Sequence, residues 1–168
     1  MASENEAVVR RYIDEVWNGG RLEVIDEIVA DQYIRRDAAL PRPAVGRAEL
    51  KDQVRFYRDA FPDLNVVIED MVTSDDVVTL RWRASGTHRG ELMGLGATNK
   101  RSEVTGLNLV RVLEGKLVEE IQEWNEAAML RHLGVLPERE STQERALLGV
   151  SNLRTRVGEM LGGRLHNS

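Results

Sequence analysis

The stretch Val77-Val78-Thr79-Leu80-Arg81-Trp82-Arg83-Ala84-Ser85-Gly86-Thr87-His88 is built on an apolar–polar alternation. Val78, Leu80, Trp82 and Ala84 share one parity, while Thr79, Arg81, Arg83 and Ser85 share the other. Successive side chains of a strand point to opposite faces, so this pattern predicts an antiparallel strand with one face buried and one in water. Before it, Val66-Val67-Ile68-Glu69-Asp70-Met71-Val72 reads as a strand that turns at Ser74-Asp75-Asp76. After it, strands over 103–113 and 116–126 meet at Glu114-Gly115, a tight hairpin signal. The second half of the chain is therefore expected to be a meandering sheet.

Toward the N-terminus the period changes. Val8, Val9, Tyr12, Ile13, Val16 and Trp17 recur at spacings of three and four, predicting a helix over 4–18 that Asn18-Gly19-Gly20 ends. Leu22, Ile25, Ile28 and Val29 predict a short second helix, after which Asp31-Gln32-Tyr33 leads into an irregular segment. Pro41 and Pro43 interrupt that segment, because each fixes its own φ and lacks an N–H. Leu50, Val54, Tyr57 and Phe61 restore helical spacing over 47–60, and Pro62 closes the helix. Helices first and a meander afterwards predict an α+β fold with segregated helices. A last amphipathic helix is expected over 141–161, carrying Leu147, Leu148, Val150, Leu153, Val157 and Met160.

Composition narrows the function classes. A chain of 168 residues supports one sizeable core, and no run approaches the roughly 18 apolar residues that a membrane span requires. The acidic start Met1-Ala2-Ser3-Glu4-Asn5-Glu6 does not read as a signal peptide, so a cytoplasmic protein is expected. With no cysteine, disulfides, thiol nucleophiles and thiolate metal sites are excluded. A net charge of -5 argues against nucleic acid as a partner. His88, His132 and His166 are far apart and in no metal-binding spacing, and no Gly-x-Gly-x-x-Gly joins a strand to a helix. No metal and no cofactor are expected.

Three blocks carry a resemblance. They are Ala60-Phe61-Pro62-Asp63-Leu64, then Gly86-Thr87-His88-Arg89-Gly90-Glu91-Leu92-Met93-Gly94, then Gly115-Lys116-Leu117-Val118-Glu119-Glu120. Together they resemble the SnoaL-like polyketide cyclase and ester cyclase family, whose members share the NTF2-like fold of nuclear transport factor 2 and the ketosteroid isomerases. The resemblance implies a cone-shaped barrel over residues 1–136, with a curved antiparallel sheet wrapped around the N-terminal helices and a pocket at its open end. Residues 137–168 would be a C-terminal helical extension.

The activity implied is that of a cofactor-independent cyclase or isomerase. It would remove a proton α to a carbonyl in a polyketide-like or polycyclic small molecule and close a ring, a step of antibiotic biosynthesis. Aligning Gly115-Lys116 and Leu133-Gly134 without a gap places Asn125 where the family usually keeps its catalytic aspartate, and Ile121 at its tryptophan; anchoring on Trp124 instead places Ala128 there. An amide donates a hydrogen bond to an oxyanion but takes no proton. Strand parity puts Leu117, Ile121, Glu123 and Asn125 on one face of the last strand, expected to be the cavity face, and Trp124 on the other. His88 is the expected proton carrier, near neutral in its ordinary titration, with shaping of the glycine-rich loop as the alternative. Asp37, following Arg36 where the family often has a histidine, is a candidate base or the rim partner of Arg36.

The expected catalytic set is thus His88, Asn125 and Asp37. The expected substrate-binding set is Tyr12, Arg36, Trp82, Glu123 and Trp124, of which Tyr12 and the tryptophans also suit core packing. A hydroxylase-like branch of the family and a non-catalytic small-molecule binder remain open. The strand over 103–113 is apolar on both parities, with Val104, Val110 and Val112 on one and Leu107, Leu109 and Leu113 on the other, so a homodimer is expected.

Overall fold

The computed structural model describes residues 2–148. Helix α1 (Ala2–Arg11) runs on into a π-helical segment, Tyr12–Asn18, in which the turn widens. The Gly19 N–H bonds to the Asp14 carbonyl at 3.0 Å, five residues back rather than four. Tyr12, Ile13, Val16 and Trp17 all reach the core from this segment. Helix α2 (Glu23–Ile28) follows and buries Val24, Ile25 and Ile28. Strand β1 (Val29–Asp37) and the short β2 (Ala44–Val45) then precede helix α3 (Gly46–Ala60). At the start of α3 the Glu49 carboxylate reaches back to accept from the Val45 N–H at 2.8 Å, satisfying a backbone donor at the helix start. Strands β3 (Asn65–Ser74), β4 (Val77–Thr87), β5 (Arg101–Leu113) and β6 (Lys116–Trp124) form the meander, and α4 (Glu126–His132) follows.

The six strands form one sheet in the order β2-β1-β6-β5-β4-β3. Neighbours are antiparallel except β1 and β6, which run parallel. Residues 29–37 are thus a strand where the sequence reading expected an irregular segment. The inward positions of β1 are Val29, Tyr33, Arg35 and Asp37, and two buried charges there erase the apolar alternation by which a strand is read.

A second departure lies in β6. Val112 pairs with Leu117, but Arg111 pairs with Glu119, so Val118 is an extra residue and the strand bulges. The bulge inverts the facing of everything after it. Leu117 is buried, then Glu120 and Gln122, while Ile121, Glu123 and Asn125 are exposed. The expected cavity parity of the last strand is therefore reversed, with Trp124 inside and Glu123 and Asn125 outside.

The main core joins the two halves of the chain. Val9, Tyr12, Val16, Ile25, Leu50, Val54, Leu80 and Leu117 are fully buried in it. Each such side chain contributes about 1.5–3 kcal/mol relative to exposure. A second, smaller cluster gathers Ala60, Phe61, Leu92, Met129 and Leu133, tying the glycine-rich segment to α3 and α4. No helix among the described residues is long and apolar enough to cross a membrane.

The chain divides into one compact unit ending at Leu133 and another beginning at Gly134. In the second, residues 142–148 are helical, opened by Ser141, whose hydroxyl accepts from the Glu144 N–H at 3.1 Å. The remainder of the helix expected over 141–161, including Val150, Leu153, Val157 and Met160, lies outside the described residues.

Gly90 and Gly106 are among the glycines that close approach requires. A Cβ on Gly90 would lie 2.1 Å from the Asp59 carbonyl oxygen, and one on Gly106 would lie 2.3 Å from Cζ2 of Trp82. Gly106 pairs with Trp82 on one side and Trp124 on the other, so it is the space into which the Trp82 indole settles. Gly106→Ala is expected to push that indole off the sheet and to lower stability by about 1–3 kcal/mol, the usual cost of overpacking, measured by urea denaturation. An unchanged midpoint would contradict this packing.

Candidate active site

Between the sheet, the π-helical segment, α3 and α4 lies a cavity of about 700 Å³, counted out to its open mouth. Its walls are largely apolar and aromatic: Ile13 and Trp17, Tyr57 of α3, Phe61 just after it, Leu64, Trp82 of β4, Val104 of β5, Trp124 of β6 and Met129 of α4. Buried polar side chains also line it, Arg35, Ser102, Asn108 and Gln122, as does Ser85, whose hydroxyl accepts from exposed Arg101 at 2.9 Å.

Arg35 organises the polar side. It is 1% exposed. Its Nη1 donates to Gln53 at 2.7 Å and to the Asp37 carboxylate at 3.2 Å, and its Nη2 donates to the Gln122 side-chain oxygen at 2.7 Å. Its Nε is 3.3 Å from Glu120, and its guanidinium lies 5.0 Å from the Trp17 ring centre. Burial alone would weaken the charge, but Glu120 foremost, then Tyr12 and Asp37, holds the guanidinium above its ordinary pKa.

Two carboxylates flank this cation. Glu120 accepts from the hydroxyls of Tyr12, at 3.0 Å, and Tyr33, and from the Asn108 amide. Burial, then the Glu120 charge, pushes both phenols well above their ordinary range, so they stay neutral donors. Asp37 accepts from Trp124 Nε1 at 2.9 Å, the Ala39 N–H at 3.1 Å, and Gln122 Nε2 and the Tyr57 hydroxyl at 3.3 Å each, besides Arg35. Burial and the neighbouring Asp37 likewise raise the Tyr57 phenol. Four of the five donors to Asp37 belong to side chains that line the cavity. Among the described residues no group of three or more His, Asp or Glu side chains is placed to hold a metal ion.

An aromatic cavity with a buried carboxylate directly behind its wall sits inside a segment with a recognisable sequence. Residues 7–133 match the family model described as SnoaL-like polyketide cyclase. The chain belongs to the SnoaL-like polyketide cyclase family. Solved structures agree. IdmH of Streptomyces antibioticus, provisionally named a polyketide cyclase, is 30% identical with a TM-score of 0.67, over 77% of this chain and 98% of its own. AclR of Streptomyces galilaeus, provisionally named a hydroxylase, is 26% identical with a TM-score of 0.72, over 82% of this chain and 100% of its own. A protein of Jannaschia sp. CCS1, provisionally named a SnoaL-like polyketide cyclase, shares the fold at 20% identity, with a TM-score of 0.75 over 81% of this chain and 95% of its own. No curated protein matches the chain.

Within this SnoaL-like domain the residues singled out from sequence fall in different places. Trp82 and Trp124 line the cavity, and Asp37 lies directly behind its wall. Tyr12 is in the core beneath, edge-on to Trp17 and bonded to Glu120, and does not line the cavity. Arg36 is on the outside, paired with Glu119, so Asp37 takes Arg35 and not Arg36 as its partner. Glu123 is exposed on the outer sheet face. Asn125, expected in the cavity, is exposed and caps α4, its Oδ1 accepting from the Ala128 N–H at 3.0 Å. The physical reason for both departures is the bulge at Val118.

His88, expected at the pocket mouth, does not line the cavity. It is buried, 5.4 Å from the Phe61 ring, with Nδ1 accepting from the Thr98 N–H at 3.2 Å and lying 3.1 Å from the Thr98 hydroxyl. Main-chain bonds from His88 to Lys100 and from Asn99 to His88 close the same loop. An accepting Nδ1 places the ring proton on Nε2, which is buried without a partner. Sequence reasoning missed Arg35, Tyr57, Ser102, Asn108, Glu120 and Gln122. The one available signal was the inward set Tyr33, Arg35 and Asp37, spaced by two.

Two outcomes follow from these contacts. Arg35→Met would leave two buried carboxylates facing each other without their cation, and is expected to destabilise the domain by about 3–5 kcal/mol in urea denaturation. A loss below about 1 kcal/mol would contradict the assigned role of the guanidinium. For His88, burial lowers the folded-state pKa below the ordinary value, so the folded state resists the proton that the unfolded chain accepts. Its contribution is present above about pH 6.5 and is lost as pH falls below it. Between about pH 7.5 and about pH 5.5 the native midpoint should fall further than that of His88→Asn, which keeps an acceptor for Thr98 and does not titrate. Equal falls would show that His88 is not the acid-sensitive group.

Proposed function

We propose that this chain is a cofactor-independent acid–base catalyst that removes a proton α to a carbonyl in a flat, polyketide-like molecule and then closes a ring or isomerises it. The observation that carries this reading is the Asp37 carboxylate, buried directly behind the cavity wall and bonded by Trp124, Tyr57, Gln122 and Arg35, all of which line the cavity. Proton abstraction from carbon needs a carboxylate or similar base within hydrogen-bond reach of the substrate. Asp37 takes the C–H proton, the electron pair moves onto the carbonyl oxygen, and the guanidinium of Arg35 with the amide of Gln122 stabilises the enolate. Entry of substrate displaces the Gln122 amide from Asp37, a contact of 3.3 Å, and frees a lone pair. Trp17, Trp82 and Trp124 provide flat walls for a polycyclic skeleton.

Asp37 removes the need for an acid at position 125. The native family alignment leaves an amide there, and that amide serves a helix terminus. A homodimer through the outer sheet face belongs to the same reading, supported by Val67, Leu107 and Ile121, which are exposed there. The 26% identity to AclR, provisionally named a hydroxylase, favours oxygen insertion on the same class of molecule as the second reading.

The test is turnover of anthraquinone-bearing β-keto methyl esters followed by mass spectrometry. The native protein is expected to convert one of them to a product of unchanged mass, and Asp37→Asn to lower the rate by a factor of about 10² to 10⁴. Asn125→Ala should cost about 1 kcal/mol of stability through the lost cap and leave the rate of the folded protein unchanged. A product heavier by one oxygen would establish the hydroxylase reading, and tight binding without conversion would establish a binding protein.

A further inference from the structure

Ring closure by addition to a ketone leaves an alkoxide, which forms at a carbon other than the one Asp37 deprotonates and needs a proton there. Among the described residues lining the cavity the choice is small. Arg35 keeps its proton, held by Glu120 and Asp37. The Tyr57 phenol is raised and donates to Asp37. Asn108 and Gln122 are amides, which donate hydrogen bonds and not protons. Ser102 remains. It lies on β5, is 5% exposed and lines the cavity. Its hydroxyl is 3.2 Å from Nδ1 of His132.

His132 stands in the last turn of α4 and is exposed to water. One side of the pair therefore touches the cavity and the other touches solvent. Alpha4 is held in place by the Asn125 cap and by Met129 and Leu133, which pack with Phe61 and Leu92. Charged groups nearby are few: Glu126 and Arg131 on α4 itself, and Arg101 and Glu103 beside Ser102 on β5, both exposed on the outer parity. Glu91 and Lys100, in the segment that contributes Leu92, are exposed as well.

We propose that Ser102 and His132 form a proton relay from solvent to the cavity, the acid partner of Asp37, an inference that rests on the acid–base reading above. The alkoxide takes the Ser102 hydroxyl proton, and Oγ takes the Nδ1 proton of the His132 imidazolium. The resulting neutral imidazole regains a proton from water, while Asp37 releases to water the one it took from carbon. No proton is consumed over the cycle, and no oxidant or metal is called for. Ser102 is the catalytic residue of the pair and His132 acts through it.

The test separates the two proton transfers, using an anthraquinone-bearing β-keto methyl ester in deuterated water. Deuterium uptake at the α carbon reports the base, and formation of the ring reports the acid. His132→Ala should keep α-exchange at the native rate while ring closure slows by about 100-fold with KM unchanged, and added imidazole should restore it, because the site is open to water. Ser102→Ala should show the same split, without imidazole rescue, and the double variant should be no slower than Ser102→Ala. Ring closure at the native rate in His132→Ala overturns the relay and leaves the Asp37 reading standing. Absence of exchange in the native protein, with Asp37→Asn no different, overturns the acid–base reading and the relay with it.

Discussion

A guanidinium buried between two carboxylates is the constraint around which the rest of this domain is arranged. Arg35, Asp37 and Glu120 could not stay in an apolar interior singly, since an unpaired buried charge costs several kcal/mol. Each is instead met by neutral donors and acceptors from different parts of the chain: Tyr12 from the π-helical segment, Tyr33 from β1, Gln53 and Tyr57 from α3, Asn108 from β5, Gln122 and Trp124 from β6. The network fastens helices to sheet and fixes the polar end of the cavity at the same time. Stability and chemistry therefore share residues here, and a change to one is felt in the other.

Two backbone irregularities make that network attainable. Widening of the first helix into a π turn directs both Tyr12 and Trp17 inward, one toward Glu120 and the other under Arg35. The bulge at Val118 turns Glu120, Gln122 and Trp124 to the inside of β6 while Leu117 stays buried before it. Without the extra residue those three side chains would face outward, and Ile121, Glu123 and Asn125 would take their places. The parallel pairing of β1 with β6 then sets Arg35 opposite Glu120 and Asp37 opposite Gln122.

Those same irregularities mark where the sequence could and could not be read. The three N-terminal amphipathic helices, the alternation of Val78 to Ala84 and the Glu114-Gly115 hairpin are local patterns with one physical solution, and they appear in the structure as expected. Strand β1 was illegible because its inward positions carry charge, which periodicity counts as surface. The facing of Glu123, Trp124 and Asn125 was misread because parity was carried across a bulge, and a bulge changes pairing without changing composition. His88 has the chemistry of a catalytic residue and the neighbours of a loop fastener; only the Thr98 contact separates the two. Asp37 was visible as a nearby acid, but its partner is two residues away along the strand rather than adjacent, as strand geometry requires.

The account turns on Asp37 as the proton acceptor, and the most direct measurement watches that carboxylate. Infrared difference spectra should be recorded as a hydroxyanthraquinone, an analogue of the enolate, binds to the native protein and to Asp37→Asn. The account predicts that the ligand binds ionised, passing its proton to Asp37, so that a protonated carboxyl band appears in the native protein and is missing from the variant. Binding of equal strength in both proteins, with no carboxyl band in either, would contradict it.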